Sequence, residues 1–94
     1  MYEIKFSPRA EKFLKKLKNS NLKKLLQDAL IRISQNPYIG EAKKGDLNGF
    51  FCYDVYYDKT NYEIAYRIYE DKIVVIILVG TRENFYNELK KLKF

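Results

Sequence analysis

Arg82 and Tyr86 stand four residues apart in the segment "TRENFY", directly after the apolar run "IVVIILVG". If a helix begins here, that spacing sets both side chains on one of its faces. A guanidinium can hold a phosphate with two hydrogen bonds and stabilise the added charge of a pentacoordinate transition state. A neighbouring phenol can relay a proton or stack on a base. The same spacing equally describes an exposed arginine near Glu83 and a tyrosine packed on a sheet. Lys43, Lys44, Arg67, Tyr56 and Tyr69 carry matching chemistry elsewhere in the chain. Cations interleaved with rings suit single-stranded nucleic acid, where charge holds phosphates and each stacked base adds about 1–3 kcal/mol. Tyrosines also favour sheet positions for their own sake, so both readings stay open on spacing alone.

Other reactive groups are few. The chain has no histidine and a single cysteine, Cys52. This excludes Ser-His and Cys-His nucleophile pairs, an internal disulfide and a zinc ligand set. No metal or cofactor is expected. Cys52 reads as a small half-buried strand residue in a reducing compartment. Lys and Arg total 18 against 12 Asp and Glu, a formal charge of +6. A basic domain of this kind suggests a polyanionic or acidic partner. The N-terminal "MYEIKFSPRA" lacks a signal-peptide core, and no apolar run reaches membrane-spanning length. A soluble, cytoplasmic protein with no membrane partner is expected. Ninety-four residues, 47% hydrophobic and 32% charged, suit one domain spanning 1–94.

The elements that must position the candidate residues follow from periodicity. "YEIKF" (2–6) alternates as a short strand. In "SPRAEKFLKKLKNS", Ser7 suits an N-cap and Pro8 the first helical position, with Ala10, Phe13, Leu14 and Leu17 in one stripe. "NSN" (19–21) turns into a second helix to about residue 35, with Leu22, Leu25, Leu26, Ala29, Leu30 and Ile33 at helical spacing. Pro37 ends it. So short a link predicts an antiparallel helical hairpin. Residues 41–49 read as a loop. "FFCYDVYY" (50–57), "YEIAYRIY" (62–69) and "IVVIILV" (73–79) read as a meander with turns at 58–61 and 70–72. In the middle strand Tyr62, Ile64, Tyr66 and Ile68 share one face, and Glu63, Ala65, Arg67 and Tyr69 the other. The last strand is apolar throughout, as a central strand covered on both faces would be. Gly80 closes it and "RENFYNELKKLKF" forms a final helix, whose Lys90, Lys91 and Lys93 oppose the negative end of its dipole. The expected fold is α+β: a mainly antiparallel four-stranded sheet, an N-terminal helical hairpin on one face and a short C-terminal helix.

Four stretches in this order, "YEIKFSPRAEKFLKKL", "NPYIG", "KKGDLNGFFCYDV" and "YEIAYRIYEDKIVVIILVGTRENFY", resemble the RelE/ParE superfamily of toxins from type II toxin–antitoxin modules. The resemblance covers nearly the whole chain and implies the same α+β fold. It also implies one of two activities. RelE-like members are metal-independent mRNA interferases acting in the ribosome, where the ribose 2′-OH attacks the adjacent phosphodiester. ParE-like members poison DNA gyrase by protein binding. A third outcome is a catalytically weak toxin-like protein that mainly binds its antitoxin, which in this family is a small, often acidic chain. Under the RelE-like reading, which "GDLNG" and "GTRENFY" favour, Arg82 would stabilise the scissile phosphate and Tyr86 would orient or stack the substrate. Asp54, Tyr56 and Glu63 stand where RelE-like ribonucleases often carry lysine or arginine. Lys43, Lys44 and Arg67 would then replace the missing phosphate-binding charge. Glu63 is a possible base, or a plain surface strand residue.

Overall fold

The first two helices each start on a side-chain cap that the sequence supplies. In this computed structural model, described over residues 1–92, the Ser7 Oγ accepts from the Ala10 N–H at 3.1 Å and opens α1 (Pro8–Lys16). The same hydroxyl donates to the Ile77 carbonyl at 2.7 Å, which fastens the cap to the sheet. Asn19 Oδ1 accepts from the Leu22 N–H at 3.0 Å and opens α2 (Ser20–Gln35). The turn is therefore shorter than residues 19–21, because the Asn19 cap makes Ser20 helical already. Asn36 repeats the device, accepting from Tyr38 N–H at the start of a 3-10 turn over Pro37–Ile39.

The sheet has five strands, not four, and is mixed. β1 is Glu3–Phe6, β2 Glu41–Ala42, β3 Phe51–Tyr57, β4 Thr60–Tyr69 and β5 Ile73–Thr81, in spatial order β1-β5-β4-β3-β2. β1 runs parallel to β5, and the other pairs are antiparallel. The added strand is a two-residue stretch of the polar 41–49 loop, too short to show any period. The helical hairpin also needs correcting. α1 and α2 follow one another closely, but each lays its apolar stripe on the sheet, α1 chiefly on β5 and α2 on β3. Ala10, Leu22, Leu26, Ala29 and Ile33 meet Val55, Ile64, Tyr66, Val74, Ile76 and Val79 in one core. Full burial of each Leu or Ile is worth about 1.5–3 kcal/mol.

The opposite face carries a smaller core of Leu47, Phe50, Cys52, Ala65, Ile77, Leu78, Phe85 and Leu89. α3 (Phe85–Lys91) covers it, and Lys90 and Lys91 lie in its last turn; Lys93 lies outside the described residues. A bulge links the two faces. Ala65 opposes Leu78 while Tyr66 opposes Ile76, so Ile77 is the extra residue and joins Leu78 on the α3 side. The strand-face assignment for 62–69 holds: Tyr62, Ile64, Tyr66 and Ile68 pack under the helices. Asp58 and Lys59 (φ 50° and 61°) are both left-handed and make a two-residue hairpin turn, while Glu70 and Asp71 (φ 55° and 54°) open the three-residue turn 70–72 between the paired Tyr69 and Ile73. The first hairpin therefore releases Thr60 and Asn61 into β4. Gly80 does not close β5 but pairs with Glu63. Among the described residues no helix is long and apolar enough to cross a membrane.

Candidate functional site

Where β5 leaves the sheet, the chain makes a short link before α3, and this link carries Arg82. Its N–H donates to the Asn61 carbonyl at 2.9 Å, and its own carbonyl accepts from the Phe85 N–H at 3.1 Å. Asn84, in the left-handed region at φ 62°, caps α3. Arg82 thus stands before the helix, not on it, and the shared helical face with Tyr86 does not exist. The left-handed residue redirects the backbone, which the four-residue spacing could not reveal. The backbone of Arg82 is tied down at both ends. Its side chain is exposed and forms no ion pair with any described carboxylate.

Tyr86, half-buried at the start of α3, reaches back over the sheet. Its hydroxyl donates to Glu63 Oε1 at 2.6 Å. Glu63 is 1% exposed, so it is not a surface strand residue. Burial raises its carboxyl pKa first of all; the Tyr86 hydrogen bond opposes this, Asp54 adds to it, and the Arg82 charge opposes it. Burial and then the Glu63 bond raise Tyr86, which therefore stays a phenol and a donor. Lys43 closes the group. Its Nζ lies 4.8 Å from the centre of the Tyr86 ring and ion-pairs with Glu41. Burial alone would lower the Lys43 pKa, but hydrogen bonds with Glu41 and Tyr86 outweigh it and hold the ammonium above its usual value. Lys43, Tyr86 and Glu63 therefore form one constellation, and the Arg82 charge acts on its carboxyl. Cys52 lies beneath it, more deeply buried than expected at 4% exposed. Burial pushes its thiol up to about 12, which makes it a neutral packing group and no nucleophile.

The remaining candidates lie elsewhere. Lys44 is exposed on the neighbouring loop and begins the 3-10 turn Gly45–Leu47. Tyr56, 70% exposed, sits by the edge of β3 beside Asp28 and Arg32 of α2. Tyr69 is near Tyr38 and Asp71 at the opposite end of β4. Arg67 shares the Glu63 face but stands four residues along β4, about 13 Å at strand rise. Its guanidinium is 5.0 Å from the Phe50 ring centre and flat against Gly49, with Asp46, Asn48 and Lys90 nearby. It does not join the Arg82 group. Alternation gives a residue's face but not its distance along the strand from a loop that folds back. Gly49 is needed twice, for φ +96° and for this contact, since a Cβ there would lie 2.8 Å from an Arg67 nitrogen. Gly49→Ala should cost about 1–3 kcal/mol from the backbone alone, read by urea denaturation, and Arg67→Ala should recover none of that backbone part.

Sequence reasoning missed the burial of Glu63 and the engagement of Lys43 by Glu41. The face pattern that set Glu63 beside Ala65 was a usable signal for the first. Among the described residues no group of three or more His, Cys, Asp or Glu side chains could hold a metal ion.

The family profile of the ParE-like toxins of type II bacterial toxin–antitoxin systems matches residues 4–90. The chain belongs to this family. Its fold is similar to the intact RelBE toxin–antitoxin complex of E. coli, with TM-score 0.67 and 27% identity over 85% of this chain and 95% of that one. It is also similar to the RelBE2 toxin–antitoxin complex of Mycobacterium tuberculosis, with TM-score 0.66 and 29% identity over 86% of this chain and 98% of that one. A mutant E. coli RelE in the free state gives TM-score 0.72 at 23% identity over 98% of both chains, a likeness of fold alone. No curated protein sequence matches significantly. This ParE-like toxin thus shares its architecture with RelE-type toxins, and its three helices and mixed sheet follow theirs.

Proposed function

We propose that this toxin is a ribosome-dependent mRNA interferase, working by the metal-independent route its RelE-like resemblance implies. The ribose 2′-oxygen bonds to phosphorus as its proton departs, the P–O5′ bond breaks, and the leaving oxygen takes up a proton. A 2′,3′-cyclic phosphate and a 5′-hydroxyl remain. Arg82 meets the charge that grows on the phosphoryl oxygens. Lys43, held firmly cationic, adds a second positive group, and Lys44 contacts the flanking phosphate chain. Tyr86 orients the nucleotide over its ring face. The observation that carries this reading is the exposed Arg82 guanidinium, paired with no described carboxylate, on a backbone tied down at both ends, its charge acting on Glu63 beneath Tyr86 and Lys43. A guanidinium with no internal partner is suited to binding a phosphate.

A small acidic cognate antitoxin is the partner this reading requires, by analogy with the toxin–antitoxin complexes among its structural neighbours. The test is purified toxin added to a cell-free translation extract, with mRNA ends mapped by primer extension. Cleavage of translated mRNA that the antitoxin suppresses is expected. Intact mRNA together with blocked supercoiling by purified gyrase would replace this reading with that of a gyrase poison.

A further inference from the structure

Glu63 has two carboxyl oxygens and one donor. Oε1 accepts from Tyr86, but Oε2 is fully buried and has no hydrogen-bond partner among the described residues. An ionised carboxylate in that position is heavily penalised, because an anionic oxygen would sit away from water with nothing to satisfy it. The nearby cations do not remove the problem. Lys43 is engaged by Glu41 and the Tyr86 ring, and the Arg82 side chain is exposed.

Directly across the strands stands a second acid. Asp54 of β3 is the register partner of Glu63 of β4, and such pairs hold their Cβ atoms about 4.5–5.5 Å apart. Two carboxyls that close resist ionising together. A proton on Glu63 Oε2 resolves both conflicts: it converts the orphan acceptor into a donor, and it gives Asp54 something to accept. The other groups around this pair are Cys52 on β3, Lys43 and Glu41 from the β2 region, Arg82 after β5 and Tyr86 on α3, with Asp28 and Arg32 of α2 bordering the hollow beside the exposed Asp54. Burial and Asp54 both act to keep the proton on Glu63.

We propose that Glu63 is a neutral acid sharing its proton with Asp54, and that Asp54 is thereby a positioning residue that fixes, through Glu63, the Tyr86 phenol beside Lys43. The positioning half rests on the interferase reading; the shared proton does not. Glu63 is then not the base of the reaction. The two acids that stand at usually basic positions add one negative charge to the site, not two, and leave it able to hold a phosphate.

The experiment follows the Glu63 carboxyl carbon by NMR in the full-length toxin and compares the pH profile of mRNA cleavage. The Glu63 midpoint should lie above that of an ordinary glutamate, and Asp54→Asn should lower it. Titration near the ordinary value, or a midpoint indifferent to Asp54→Asn, overturns the shared proton. Cleavage should fall as pH rises through the Glu63 midpoint, and Asp54→Asn should move that limb to lower pH by the same interval. Glu63→Gln, neutral at every pH with one donor and one acceptor, should lose the limb. A limb that persists in Glu63→Gln overturns the positioning role. Wild-type toxin that cleaves nothing while Glu63 keeps its raised midpoint rejects the interferase reading and the positioning role with it, and leaves the shared proton standing.

Discussion

Arg82→Ala should lower cleavage of translated mRNA by about 10²–10³-fold, equivalent to about 2.7–4 kcal/mol of transition-state stabilisation, while the fold survives. The two expectations come from different parts of the same residue. The Arg82 backbone holds the exit of β5 through Asn61 and Phe85, and alanine keeps both hydrogen bonds. The side chain is exposed and unpaired with any described carboxylate, so its removal should change stability by no more than about 0.5 kcal/mol. Arg82→Lys should recover only part of the activity, because a point charge lacks the two-pronged donor geometry of guanidinium. Thermal melts and single-turnover cleavage of the same preparations check both halves. Unchanged cleavage by Arg82→Ala would remove the central residue of the proposed mechanism.

Gly40→Ala should be the most damaging small substitution to stability, at about 3 kcal/mol. For a chain of this length that lowers the melting temperature by more than about 10 °C. The backbone of Gly40 is ordinary, and the loss comes from space. A methyl there would press into the Tyr66 hydroxyl and lie 3.1 Å from the Cys52 carbonyl oxygen. Tyr66 cannot yield, being 0% exposed and stacked on Phe51 at 5.7 Å. Its hydroxyl donates to the Pro37 carbonyl at 2.6 Å and accepts from the Gly40 N–H at 3.1 Å. This single oxygen stitches the end of α2 to the middle of the sheet, and burial pushes it up to about 12. Tyr66→Phe should cost about 1–3 kcal/mol by orphaning both partners. The double variant should be more stable than the sum of the two losses, since phenylalanine makes room for the methyl. Strict additivity in urea denaturation would contradict the steric account.

What could be read from the sequence depended on how many residues shared a period. Tyr62, Ile64, Tyr66 and Ile68 alternate over a full strand, and their inward face was legible. So were the cap at Ser7, the stripe of α2 and the covered place of the all-apolar β5. Glu41–Ala42 has too few residues to show alternation, so β2 was invisible. The parallel pairing of β1 was hidden because alternation is the same in either direction. At the site, the residue types were legible and their assembly was not. Arg82 and Tyr86 are separated by a left-handed residue at Asn84, so the four-residue spacing does not place them on one helical face. Arg67 shows the converse: it shares the right face at the wrong distance. The burial of Glu63 depends on α3 folding back over the sheet, and its only local sign was a face shared with Ala65.

The extra residue at Ile77 has an effect that reaches beyond its own contacts. Side chains along an extended chain alternate in parity, and an insertion of one inverts the parity of all that follow. Before Ile77, the even-numbered residues Val74 and Ile76 point to the helices; after it, the odd-numbered Val79 does, and Gly80 passes beneath the α3 side opposite Glu63. Tracing the same strand without that offset would hand Val79 to the wrong layer and place Gly80 under α1 and α2. The face that the last residues of β5 turn toward Glu63 is therefore set upstream, by one isoleucine out of step with its neighbours.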